Sequence, residues 1–207
     1  MPCQSAGKAE NREYSHMYHE QWIQFFWDLT SLPPYHAALK PTLHLRKAEE
    51  EEAPRIWHTI ERAYEMDQTW SVNLRKHLEA LEETVMKGYP ESKLEYLVLE
   101  DGKRVIAVSG IHPKAGSTPQ LFTGVCVEDE YRCRGLGTLL LHASLTALAE
   151  AGLKEAFVVT RQRTNAARFL YTKFNSTSST ITDFDKSPKD KNWQLQQEAK
   201  LYKGQKF

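Results

Sequence analysis

The stretch that most constrains the fold runs from Val125 to Thr138: Val-Cys-Val-Glu-Asp-Glu-Tyr-Arg-Cys-Arg-Gly-Leu-Gly-Thr. Extended, apolar Leu121 to Gly124 precedes it, and a helical run from Leu139 to Ala149 follows. The local plan is therefore strand, acidic turn, basic glycine loop, helix. A helix that starts in such a loop presents unpaired backbone N–H groups and the positive end of its dipole. That arrangement receives anions, phosphates above all. Arg132 and Arg134 add positive charge in the form best matched to phosphate. Gly135 and Gly137 remove side chains that would hold a ligand off the backbone.

Two familiar phosphate-binding patterns are excluded. The loop lacks the Gly-Lys-Ser/Thr ending of a P-loop, and it lacks the third glycine and following acid of a dinucleotide fingerprint. What stands is Arg132-Cys133-Arg134-Gly135-Leu136-Gly137. It resembles the Arg/Gln-x-x-Gly-x-Gly/Ala signature of the GNAT superfamily of acetyl-CoA-dependent N-acetyltransferases. A second run, from Thr164 to Phe174, resembles that family's Asn-x-x-Ala-x-x-Leu-Tyr-x-Lys-x-Gly-Phe segment through Ala167, Leu170, Tyr171 and Lys173. It departs from the pattern at two places. Thr164 stands where the family has Asn, with Asn165 one place late, and Asn175-Ser176 replaces the Gly-Phe ending.

The resemblance implies that loop amides between Arg132 and Thr138 wrap the pyrophosphate of acetyl-CoA. It implies that the backbone from Val125 through Cys126 to Val127 meets the thioester, and that Thr164, Asn165, Arg168, Tyr171 and Lys173 complete the cofactor site. Cys133 replaces the first of three glycines frequent in the family, so its side chain must point away or the loop widens.

The remaining chain reads in the same order as that fold. Thr42 to Lys47 alternates as a first strand. Acidic Glu49 to Glu52 opens a helix carrying Ile56, Ile60, Ala63 and Tyr64 on one face. A second helix carries Trp70, Leu74, Leu78, Leu81 and Val85 and stops at Gly88 and Pro90. Leu94 to Leu99 and Arg104 to Ile111 are strands joined at Asp101-Gly102, and Gln120 to Val127 is a third. Gly152 caps the long helix, and Glu155 to Thr160 is a buried strand. Thr164 or Asn165 caps a last helix with Ala167, Leu170, Tyr171 and Phe174 on one face. The expected architecture is an α/β acetyltransferase fold, with a mostly antiparallel mixed sheet split between its fourth and fifth strands and helices on both faces.

This domain is expected to span residues 42–182. Residues 1–41 read as an extension whose Tyr18, Trp22, Phe25, Phe26 and Leu29 form the stripe of an amphipathic helix ended by Leu32-Pro33-Pro34. The stripe is read as packing surface, against its own domain or a second subunit, which makes a homodimer one expectation; a lid over the acceptor pocket is the alternative. Ser176 to Phe184 has the composition of a strand or sheet edge, and residues 183–207 read as a polar tail.

Charge is balanced over the 207 residues, 27 basic against 27 acidic, which argues against a nucleic-acid or membrane partner. Cys3, Cys126 and Cys133 have no metal spacing and read as free thiols in a reducing cytoplasm. No apolar run reaches membrane-spanning length, and neither an anchor nor a leader peptide is expected.

The expected function is acetyl transfer to a primary amine by direct attack on the thioester, the acceptor being a small molecule or a peptide. The alternative is a non-catalytic module that binds or senses acetyl-CoA. Tyr171 is expected to protonate the leaving sulfur. Glu128 heads the candidates for proton acceptor, with Asp129, Glu130, Tyr64, Asp67, His112 and Glu95 as alternatives. Trp57, Tyr64, Asp67 and Trp70 are candidate walls of the acceptor pocket. A covalent acetyl-Cys126 is the minor route.

Overall fold

The computed structural model describes residues 21–37, 39–67, 74–88, 94–113 and 119–181. Among the described residues seven strands form two sheets. One has the order β2 (Leu43–Lys47), β3 (Glu95–Asp101), β4 (Arg104–Ile111), β5 (Leu121–Val127), all antiparallel. The other has the order β6 (Glu155–Arg161), β1 (Trp22–Asp28), β7 (Thr177–Ile181), also antiparallel. Among the described residues no strand ladder joins β5 to β6, so the split falls where the family resemblance implies it.

Alternation along the strands puts a core on each face of the larger sheet. Tyr96 and Val98 face helices α1 (Ala53–Glu65) and α2 (Leu74–Gly88), meeting Ile56, Ile60, Leu81 and Val85. Leu97 and Leu99 face the other way, onto Leu136 and Leu140 of α3 (Leu136–Glu150). The same helix turns Leu141, Leu145 and Leu148 onto Phe25, Trp27, Ala156 and Val158 of the smaller sheet. A helix carrying apolar residues around most of its girth thus covers both sheets and spans the gap between them.

The amphipathic helix expected in residues 14–29 is corrected: Trp22–Asp28 is a strand, and residues 14–20 lie outside the described residues. Spacing of Trp22, Phe25, Phe26 and Leu29 suits a helical stripe, but Trp22-Ile-Gln-Phe-Phe-Trp is rich in residues that favour strands. Tertiary pairing decides the matter. The segment lies in register between β6 (Phe26 opposite Phe157) and β7 (Phe26 opposite Thr177). Phe25 and Trp27 then point into the core while Phe26 points out, tilted against Phe157 at 5.8 Å. The first strand among the described residues is therefore the middle strand of the smaller sheet, not an appendage. Trp27 also donates its indole N–H to the Lys173 carbonyl at 2.9 Å, tying the sheet to the segment after β6.

A second correction concerns residues 164–174. The expected helix is a single π turn, Ala166–Leu170, in which the Tyr171 N–H reaches the Ala166 carbonyl at 2.8 Å. Thr164 is its cap: the buried hydroxyl accepts the Ala167 N–H at 3.1 Å and donates to the Arg161 carbonyl at 3.0 Å. The chain leaves the turn through Phe174 and Asn175, both left-handed at φ 61° and 57°, and enters β7 as an exposed edge strand. Trp70 and residues 183–207 lie outside the described residues.

The strand assignment has a direct test. Trp27→Ala should lower stability by about 3–5 kcal/mol in urea unfolding, whereas outward-facing Phe26→Ala should cost about 1 kcal/mol or less. A larger loss at Phe26 than at Trp27 would fit the helical stripe instead, because the stripe includes Phe26 and leaves Trp27 off its face.

Candidate functional site

The split has a local cause in β5. Register between β4 and β5 slips from Gly110 opposite Gly124 to Ile111 opposite Leu121, so Phe122 and Thr123 are extra residues in a bulge. The Thr123 hydroxyl fills the gap in the ladder: it accepts the Gly110 N–H at 2.8 Å and donates to the Gly124 carbonyl at 3.0 Å. Gly124 is left-handed, with φ 64°. A bulge bends and twists its strand, and here it turns the free edge of β5 away from β6.

Pairing parity shows what that edge presents. In an antiparallel ladder a residue gives both its polar groups to one neighbour or neither. Val125 donates its N–H to the Tyr171 hydroxyl at 3.1 Å, so Val125 and Val127 face away from β4. Glu128 donates to the Ile106 carbonyl at 2.9 Å, which puts Cys126 on the β4 side. On the opposite bank, Phe157 donates its N–H to the Gln120 side-chain oxygen at 3.1 Å. Phe157 and Val159 therefore face away from β1. Gln120, almost fully buried, bridges from the start of β5 to β6 where no ladder does. Between these edges opens a cleft of about 460 Å³.

Most of the residues singled out in the sequence line this cleft. Val125, Cys126 and Val127 form one wall, and Cys133, Gly135, Gly137 and Thr138 come from the loop and the first turn of α3. Thr164, Asn165 and Tyr171 come from the opposite side. Gly135 caps α3 at φ 79° and leaves the first-turn amides of the helix open to the cleft. Cys133 holds φ 60°, the backbone form that glycine adopts freely, and its side chain is exposed. The chemistry of this donor set fits a diphosphate: main-chain amides, a helix N-terminus and no carboxylate from the loop residues that line it.

Arg132 also lines the cleft, but as a clamp. Its guanidinium donates to the Val127 carbonyl at 3.2 Å and the Ala63 carbonyl at 2.7 Å, and pairs with Asp129 at 3.1 Å. It thereby ties the loop to both β5 and the end of α1. Arg134 lies outside the lining, donating to the Glu130 carbonyl at 2.6 Å and stacking over Tyr131. Leu136 is buried beneath the helix, and Arg168 and Lys173 are exposed outside the lining.

Glu128, the first candidate for proton acceptor, does not line the cleft. It is only 2% exposed and pairs with Arg104 and, at 3.6 Å, with Arg62. A carboxylate committed to two guanidinium groups fastens the acidic turn to β4 and α1. Glu95 pairs with Lys47 at 2.8 Å, and His112 is buried away from the lining. Among the carboxylates considered, Asp67 alone lines the cleft; it stands just beyond α1, near Tyr64, whose hydroxyl donates to the Thr123 carbonyl at 3.3 Å. Trp57 packs in the core beneath α1.

Tyr171 is buried, wedged edge-on against Trp27 and tilted against Phe25. Burial pushes its phenol well above the ordinary tyrosine range, and the Val125 N–H partly offsets that rise. Because the oxygen accepts from Val125, its own proton remains available for donation. Burial likewise pushes the Cys126 thiol up to about 12, only partly countered by Arg132. Near neutral pH it is a thiol and not a nucleophile, which weighs against acetyl-Cys126. The sequence did not single out Thr123, Thr160, Phe169 or Tyr131, which also line the cleft. The signal for Phe169 was present: it is an aromatic residue off the apolar face of its segment.

Two outcomes follow from this geometry. A side chain on Gly124 would meet the Tyr171 hydroxyl at 2.5 Å in a left-handed backbone, so Gly124→Ala should displace Tyr171 and lower any acetyl transfer at least about tenfold. Gly102→Ala, also left-handed but in open space, should leave transfer unchanged. Maleimide labelling followed by peptide mapping near pH 8 should modify Cys133 and spare Cys126; rapid labelling of Cys126 in the folded protein would contradict its burial.

Residues 14–175 match the acetyltransferase (GNAT) family. A comparison with curated proteins returns no match. Solved structures with a similar fold include a Drosophila protein (TM-score 0.53, 14% identity, covering 78% of this chain and 49% of that one). A conserved protein of unknown function from Staphylococcus epidermidis gives TM-score 0.53 at 10% identity, covering 78% and 58%. A GCN5-related N-acetyltransferase from Kribbella flavida gives 0.51 at 13%, covering 78% and 56%. This chain thus spans about half to three fifths of the length of these structures. Among the described residues no helix is long and apolar enough to cross a membrane. By the extent of its family match, and by the split sheet and glycine loop it shares with that family, this chain belongs to the GNAT family of acetyltransferases.

Proposed function

We propose that the chain transfers an acetyl group from acetyl-CoA to a primary amine by direct attack. The observation that carries this reading is the Tyr171 hydroxyl, held by the Val125 N–H at the free edge of β5 with its proton available. The open first turn of α3 receives the diphosphate, with Gly135, Gly137 and Thr138 closest. The free edges of β5 and β6 offer strand-like hydrogen bonds to the extended arm of the thioester. The Val127 N–H is the main-chain donor best placed for its carbonyl oxygen, since the Val125 N–H is engaged by Tyr171.

In the transfer the amine nitrogen bonds to the acetyl carbon and the carbon–sulfur bond breaks. Tyr171 gives its proton to the departing sulfur. The amine's proton goes to Asp67, directly or through a water, and Tyr64 shapes the same end of the cleft. The elevated phenol supports the acid role, since the group stays protonated across the working pH range.

A thiol-release assay with acetyl-CoA tests the proposal across polyamines, aminoglycosides, amino acids, peptide N-termini and lysine peptides. Stoichiometric binding with no thiol released by any of them would favour a non-catalytic sensor. With an acceptor identified, Tyr171→Phe should lower kcat about 10- to 100-fold while the acetyl-CoA Kd changes less than about threefold. A Tyr171→Phe kcat equal to that of the wild type from pH 6 to 9 would remove Tyr171 as the acid. Asp67→Asn should lower kcat most at low pH and recover as the free amine fraction grows.

A further inference from the structure

Three aromatic rings from distant parts of the chain meet beside the site. Tyr35 comes from the segment after β1, His142 from α3, and Phe174 from the exit of the π turn. Their ring centres lie 5.7 Å apart for Tyr35 and His142, 5.5 Å for Tyr35 and Phe174, and 5.1 Å for His142 and Phe174. The His142 Nε2 stands 3.0 Å from the Pro33 carbonyl. A carbonyl can only accept, so that nitrogen carries the proton and donates it. The contact fastens the segment carrying half-buried Tyr35 along α3, and the Tyr35 hydroxyl reaches to 4.0 Å from where a Gly135 side chain would begin.

Phe174 is the strained member of this trio. At φ 61° it holds a left-handed backbone that a bulky residue keeps only where its surroundings over-determine it. Main-chain groups near it are tied already: the Trp27 indole holds the Lys173 carbonyl, and the Ser176 hydroxyl donates to the Tyr171 carbonyl at 2.6 Å. Tyr35 and His142 hold the Phe174 side chain itself. Tyr171 stands only one turn earlier in the chain, so a Phe174 ring that swings out relaxes the same turn that aims the phenol. We propose that Tyr35 is a positioning residue: its ring clasps Phe174 onto α3 and so keeps the Tyr171 hydroxyl on the Val125 N–H. Its weight in catalysis rests on the acid role given to Tyr171 above.

Amide hydrogen exchange followed by NMR on the full chain tests this without any ligand. The Val125 N–H is bonded to the Tyr171 hydroxyl, whereas its neighbour Cys126 sits on the β4 side of the strand, so the two amides report the clasp and the sheet separately. Tyr35→Ala should speed exchange at Val125 about tenfold and leave Cys126 unchanged, and Tyr35→Phe, which keeps the ring, should match the wild type at both. Once an acceptor is known, Tyr35→Ala should also lower kcat about tenfold with the acetyl-CoA Kd within about threefold of the wild type. Unchanged exchange at Val125 in Tyr35→Ala would overturn the proposal. Equal acceleration at Val125 and Cys126 would overturn it too, by reducing Tyr35 to a general packing residue. A wild-type chain that takes up no coenzyme A would instead overturn the acetyl-transfer reading, and the ligand-free exchange comparison keeps that failure distinct from this one.

Discussion

Val125 gives its backbone N–H to the Tyr171 hydroxyl instead of to a neighbouring strand, and the rest of the site depends on that substitution. A strand edge left open in a core is costly, because each unmet polar group loses its hydrogen bond to water. Here the cost is contained at three points. Tyr171 satisfies Val125, Arg132 satisfies the Val127 carbonyl, and Gln120 satisfies Phe157. The bulge at Phe122 and Thr123, with left-handed Gly124 beside it, keeps β5 from closing onto β6. The cleft is thus a built feature whose walls are held apart and satisfied at these three points.

Charge around the loop is divided in the same manner. The sequence places Arg132, Arg134, Glu128, Asp129 and Glu130 within seven consecutive residues, which invites each to be read as a direct participant. The fold commits most of them to one another and to distant arginines. Arg104 and Arg62 hold Glu128, Arg132 pairs with Asp129, and Arg134 caps the Glu130 carbonyl. What remains facing the cleft is chiefly main chain. Positive character there comes from oriented amides and the helix dipole, which cannot swing away as side chains do.

How much was legible follows from sequence distance. Loop, long helix and flanking strands are local, so glycines, arginines and apolar spacing identified them together, and the split was placed correctly through the family resemblance. The first strand was misread because Trp22, Phe25, Phe26 and Leu29 satisfy a helical spacing as well as their true environment. The partners that decide the matter, β6 and β7, lie more than a hundred residues away, and Trp27 reaches Lys173 across 146 positions. The burial of Glu128 was hidden for a related reason: nothing near it in sequence shows that Arg62 and Arg104 will pair with it. Tyr171 was found by motif, but the π turn that aims it was not, because one extra residue per turn leaves the apolar pattern almost unchanged.

The central claim is that an open strand edge and a helix N-terminus together hold a thioester of coenzyme A. A crystal structure of the chain with coenzyme A tests it most directly. The account predicts both diphosphate phosphorus atoms over the amides of Gly135 to Thr138, with the sulfur beside the Tyr171 hydroxyl. Diphosphate density elsewhere, or a closed β5–β6 ladder with the ligand outside it, would contradict the account.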